Sequence, residues 1–180
     1  TASGTEANNL AIMGVAQQYR KPRHMIISAV EHSAIAKPAA LLEQWGWEIT
    51  RLPVNSYGQV DPADLASALR EDTVLVSVIY GQSEVGTVQP IAELGRVIQA
   101  RNQISKPLFH SDAVQVAGRL PIDVEQLGVD LLSISSHKLY GPQGAGALYV
   151  KPGTELVPLI NGGGQENKLR SGTEAVPAIA

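Results

Sequence analysis

Val129-Asp130-Leu131-Leu132-Ser133-Ile134-Ser135-Ser136-His137-Lys138-Leu139-Tyr140-Gly141-Pro142-Gln143-Gly144 is the stretch whose reading decides the fold. Its apolar residues, broken by Asp130, predict a strand from Val129 to Ile134. Small hydroxyl residues, one histidine and one lysine follow, and a Gly/Pro turn closes the stretch. Gly146 to Val150 predicts a partner strand, which makes a hairpin-like unit around the lysine loop. A lone loop lysine reads by default as a solvated surface charge. A strand that ends in hydroxyls and then presents a single amine also reads as a ligand loop. Hydroxyls and backbone N–H groups can hold a phosphate in such a loop, and the amine can attack an aldehyde.

The rest of the chain places that loop. Helices are expected at Glu6 to Tyr19, Ser33 to Trp45 with Gly46 as C-cap, Asp61-Pro62 to Leu69, and Pro90 to Gln103. Asp123 to Leu127 reads as a helical turn. Strands are expected at Met25 to Ala29, Trp47 to Leu52, Thr73 to Tyr80, and in a run ending near His110. The Thr73 to Tyr80 run suits a strand buried on both faces. Strands alternate with helices, so the fold class is α/β with a mostly parallel sheet. Ligands in such sheets bind beyond the carboxyl ends of the strands. Lys138, Asp112, Ser83 and His32 all fall just after expected strands, which points to one shared site. A lysine for a Schiff base and an acid for a pyridine nitrogen are the two groups that pyridoxal phosphate (PLP) requires. Gly4-Thr5 at a helix start reads either as a phosphate site or as a plain N-cap.

Ser135-Ser136-His137-Lys138-Leu139-Tyr140-Gly141-Pro142 resembles the signature of class V pyridoxal enzymes, in particular the group I cysteine desulfurases of the NifS/IscS kind. Further matches run in the family's order. They are Ser3-Gly4-Thr5-Glu6-Ala7-Asn8-Asn9, Glu31-His32-Ser33-Ala34-Ile35, Ser83-Glu84-Val85-Gly86-Thr87-Val88-Gln89-Pro90, His110-Ser111-Asp112-Ala113-Val114-Gln115 and Arg170-Ser171-Gly172-Thr173. The resemblance implies the large domain of a fold-type I PLP-dependent transferase over residues 1–180, with an N-terminal segment and a C-terminal small domain lying outside it. It implies Lys138 as the cofactor lysine and Asp112 as the acceptor of the pyridinium N–H. Gln115 would bond the phenolic oxygen, and His32 would stack on the ring and take part in proton transfer. Gly4, Thr5, Ser135 and His137 would bind the phosphate, and Thr173 would reach it from the partner subunit of a homodimer. Ser83 departs from the family's usual asparagine, which contacts cofactor and substrate carboxylate.

The implied reaction converts L-cysteine to L-alanine and enzyme-bound sulfur, which a scaffold protein of iron–sulfur assembly would accept. The other readings are a class V aminotransferase, a cysteine or cystine lyase, an epimerase, or a non-catalytic interaction domain of the same fold. The chain has 180 residues, 44% hydrophobic and 17% charged, with a net charge of -3. That suits one globular domain and gives no basic footprint for nucleic acid. No apolar run has the length of a bilayer span. There is no cysteine, which removes disulfides and thiolate metal sites and fits a cytoplasmic setting. No metal site is expected. The resemblance puts the sulfur-accepting cysteine and the carboxylate-binding arginine beyond Ala180, so these residues alone are expected to be inactive.

Overall fold

The computed structural model describes residues 1–101 and 106–180. Six strands form one sheet: β1 (His24–Ser28), β2 (Glu48–Leu52), β3 (Thr73–Ser77), β4 (Leu108–Asp112), β5 (Leu131–Ser135) and β6 (Gly146–Val150). Their spatial order is β2-β1-β3-β4-β5-β6. The first five are parallel, and β6 runs antiparallel to β5 across the lysine loop. The expected α/β class and the hairpin-like unit around Lys138 both hold.

Alternation in the strands divides the core. Met25, Ile27 and Leu75 face α1 (Gly4–Ala16) and α2 (Ser33–Gln44), together with Leu10, Ile12, Ile35 and Leu42. Ile26, Val76 and Phe109 face the other way and pack with α3 (Pro62–Ala68), α4 (Ile91–Gln99) and α5 (Val124–Leu127) through Leu65, Leu94 and Leu127. A strand covered on both faces loses its polar alternation, which is why β1 is buried at every residue. Polar side chains at buried strand positions are paired. His110 bridges Ser77 Oγ and Ser133 Oγ, each at 2.9 Å, so one ring ties β3, β4 and β5.

Element ends differ from expectation where side chains or backbone bonds intervene. α1 starts two residues early, at Gly4, because Ser3 Oγ accepts the Glu6 N–H at 3.1 Å and caps it. It ends at Ala16 rather than Tyr19, since Gln18 and Tyr19 donate to carbonyls three residues back and tighten the chain into a turn. β3 stops at Ser77 rather than Tyr80, although Val78 and Tyr80 still donate to His110 and Asp112 carbonyls. β1 is displaced by one residue from Met25 to Ala29, while β2 starts one residue after Trp47 and ends at Leu52 as expected. β4 runs on to Asp112, so this residue closes the strand instead of following it. Pro90 caps α4, which ends at Gln99; the expected end at Gln103 lies outside the described residues. A short α6 (Val176–Ile179) closes the chain, and no described helix is long and apolar enough to cross a membrane.

Candidate active site

Beyond the carboxyl ends of β1, β3, β4 and β5 lies a cavity of about 530 Å³, within the range of small-molecule sites. Gly4, Thr5, His32, Ser83, Asp112, Gln115, Ser135, His137 and Lys138 line it. Thr173 is not among these lining residues; it is exposed and borders a separate hollow with Thr1 and Arg170.

β5 delivers Lys138. Directly after Ser135 the chain makes a 3₁₀ turn, Ser136–Lys138. Ser136 closes the loop: its N–H donates to Ala145 O, its carbonyl accepts from Leu139 and Gly141, and its hydroxyl donates to Pro142 O at 2.7 Å. A Cβ on Gly141 would lie 2.4 Å from Ser136 Oγ, so this closure needs glycine. Lys138 is half-buried, and no described side chain or carbonyl hydrogen-bonds or ion-pairs with its amine. Ser135 Oγ and His137 Nδ1 pair at 2.9 Å beside it.

The N-terminus of α1 forms the adjacent wall. Ser3 caps Glu6, and Ala7 N–H bonds Ser3 O, while the Gly4 and Thr5 N–H groups have no described acceptor. Two free donors at the start of a 13-residue helix attract an anion. The helix comes close to the lysine strand because Gly4 lacks a side chain. A Cβ there would stand 2.7 Å from Val114 Cγ2 and 3.2 Å from Ser135 Cβ. Glu6 ties this end to the C-terminal region through Arg170 Nε at 2.8 Å. Burial pushes the Glu6 carboxyl up, but Arg170 and the Ala2 N–H outweigh it and leave it below its usual value.

Asp112 forms another wall, and both of its oxygens are engaged. Oδ1 accepts the Val114 N–H at 2.9 Å, and Oδ2 accepts Asn8 Nδ2 at 2.6 Å. Burial raises its pKa, against the pull of those two bonds and of nearby His32. Such a carboxylate gains from a cationic N–H placed beside it. His32 caps α2, its Nδ1 accepting the Ala34 N–H at 3.1 Å, which leaves the proton of the neutral ring on Nε2. Ser83 sits on the exposed rim, in a turn held by Gln82 Oε1 accepting from Glu84 and Val85 N–H.

Two residues of this region escape a sequence reading. Asn8 lines the cavity and holds Asp112 across 104 positions of chain. Glu31 Oε1 accepts from Ser28 Oγ at 2.6 Å and from Ile79 N–H at 2.8 Å, joining the ends of β1 and β3. Both stand inside the quoted motifs; the available signal was a polar residue on an otherwise buried helix face and an acid next to His32.

Residues 1–180 match the family described as Aminotransferase class-V. The chain is 52% identical over 180 residues to "Cysteine desulfurase IscS" of Dictyoglomus turgidum (strain DSM 6724 / Z-1310), covering 99% of this chain and 45% of that protein. It is 49% identical to "Cysteine desulfurase IscS" of Methanosarcina thermophila, covering 99% of this chain and 44% of that protein. The chain therefore spans less than half the length of these relatives. Among solved structures, a "NIFS-LIKE PROTEIN" superposes with a TM-score of 0.95 at 40% identity, over 99% of this chain and 49% of that one. "SspA in complex with cysteine" superposes with a TM-score of 0.94 at 40% identity, over 99% of this chain and 51% of that one.

Proposed function

The chain belongs to the class-V aminotransferase family, and from that premise we propose that it is the PLP-binding large domain of a cysteine desulfurase, producing L-alanine and enzyme-bound sulfur from L-cysteine. One observation carries the reading: a lysine without a partner among the described residues and a buried, doubly bonded aspartate line the same cavity as a helix N-terminus whose first N–H groups have no described acceptor. The donor set fits PLP at three points. Lys138 matches its aldehyde, Asp112 its ring nitrogen, and the Gly4 and Thr5 N–H groups with Ser135 and His137 its phosphate. Relatives at about half identity that are named cysteine desulfurases support the substrate.

When bound, PLP withdraws electrons from the substrate α-carbon and makes it acidic. The chain's own residues do the rest. Asp112 holds the ring nitrogen protonated, and Val114 and Asn8 fix the carboxylate for that task. α1 offers N–H groups to the phosphate, whose charge favours the positive helix end. His32 presents Nε2–H from a ring pinned at Nδ1 and would hold the cofactor's ring as a stacking partner. Gln115, which lines the cavity, would donate to the phenolic oxygen. Lys138 would hold the cofactor's aldehyde carbon, and its amine, placed in the cavity, would be the group able to carry protons there. Ser83 is shorter than the asparagine it replaces and holds the substrate carboxylate through fewer bonds. Thr173 is exposed and outside its own cavity, which supports a role at the phosphate of a partner subunit.

Lys138→Ala tests the reading. The variant is expected to lose the lysine-bound PLP absorbance and the covalent trapping of PLP by borohydride. Absorbance at the wild-type level would place the cofactor elsewhere. A protein that binds PLP through Lys138 but transaminates other amino acids would favour the aminotransferase alternative.

A further inference from the structure

Among the described residues, two buried side-chain polar atoms lack a hydrogen-bond partner: Asn8 Oδ1 and Glu31 Oε2. The remainder of each group is engaged. Asn8 Nδ2 donates to Asp112 Oδ2 at 2.6 Å. Glu31 Oε1 accepts from Ser28 Oγ at 2.6 Å and from Ile79 N–H at 2.8 Å. A buried acceptor without a donor is costly, and most such groups in folded proteins are satisfied. Two of them in one region ask for one missing proton.

We propose that Glu31 is a positioning residue that keeps a proton on Oε2 and donates it to Asn8 Oδ1, directly or through one buried water, so that Asn8 is locked with its amino group on Asp112. A carboxylic acid is a donor as well as an acceptor, so one proton satisfies both orphaned oxygens. Topology places both residues at the same end of the sheet. Glu31 follows β1, Ile79 follows β3 and Asp112 ends β4, three neighbouring strands. Asn8 lies on α1, which packs on this sheet, and Asn8 and Ile79 line the same cavity. Electrostatics agree. Burial lifts the Glu31 carboxyl to about 8, and the Asp112 charge pushes in the same direction.

The opposite arrangement has a clear meaning too. If Asp112 held the proton, Asn8 would turn its oxygen to Asp112 and its amino group to an ionised Glu31. Asp112 would then be neutral and could not hold a protonated ring nitrogen. Glu31 would therefore act at a distance: by donating to Asn8, it leaves Asp112 as the group that ionises. Its role toward the cofactor rests on the PLP reading; the location of the proton does not.

Infrared difference spectra of the cofactor-free protein at neutral pH, wild type minus Glu31→Gln, are expected to show the carbonyl stretch of one protonated carboxyl. The band is expected to persist in Asp112→Asn and to shift in Asn8→Ala, where its acceptor is gone. Glutamine keeps a donor at this position, so Glu31→Gln is expected to bind PLP within about twofold of wild type, while Glu31→Leu binds about tenfold more weakly. A band absent from the wild type, or lost in Asp112→Asn and retained in Glu31→Gln, overturns the proton assignment. Wild-type affinity in Glu31→Leu overturns the positioning role. A wild type that takes up no PLP contradicts the cofactor reading, while the infrared arm still decides where the proton sits.

Discussion

Asp112 was legible as a candidate because an acid at a strand end is conspicuous in an apolar run. Its two hydrogen bonds were not, because they depend on a helix 104 positions away and on a local turn. Asp112→Asn preserves size but removes the charge that favours a protonated ring nitrogen. A charge-assisted hydrogen bond is worth roughly 1.5–3 kcal/mol. PLP affinity measured by fluorescence titration should therefore fall by about 10- to 100-fold, and an unchanged affinity would remove Asp112 from the site. Two other buried groups set opposite pH trends. Glu31 sits near 8 instead of the usual 4.5, so the stability it confers is complete below pH 4.5 and fades as pH rises to about 8. His110, pressed by burial from 6.5 to about 3, confers stability that is present above pH 6.5 and is lost as pH falls towards 3. Glu31→Gln should flatten the upper trend alone. Its melting temperature relative to wild type is expected to climb between pH 4.5 and about 8. A constant difference across that range would mean Glu31 does not titrate there.

The elements were readable in kind and order because alternation and helical spacing report burial directly. Their ends were not, since capping by Ser3 and the shared turns after Ala16 are decided by single hydrogen bonds. Two glycines separate packing from function at this scale. A Cβ on Gly4 would strike Val114 and Ser135, forcing α1 away from the lysine strand. A Cβ on Gly95 would stand 2.5 Å from Leu127 O, forcing α4 away from α5 on the far side of the sheet. Overpacking of this kind costs about 1–3 kcal/mol. Both Gly4→Ala and Gly95→Ala should lower the unfolding midpoint in urea. Gly4→Ala should also weaken PLP binding, whereas folded Gly95→Ala should bind it normally. Equal affinities in the two variants would argue against phosphate binding at the start of α1.

Considered as a whole, these 180 residues bring a lysine, an acid and a helix start to one cavity but hold no cysteine. Sulfur from L-cysteine therefore has no thiolate to attack it on this chain, and mass spectrometry after incubation with PLP and L-cysteine should find no persulfide here. Thr173 was expected from its motif to reach the phosphate of a partner subunit, and the fold sets it outside the cavity of its own chain. The claim on which the account rests is that Lys138 is the amine that takes the cofactor. Borohydride reduction of the PLP-loaded protein, followed by peptide mass spectrometry, tests it directly. The account predicts one pyridoxyl group, on the peptide carrying Lys138. A label on Lys37, Lys151 or any other lysine, or no label in protein that has demonstrably bound PLP, would contradict it.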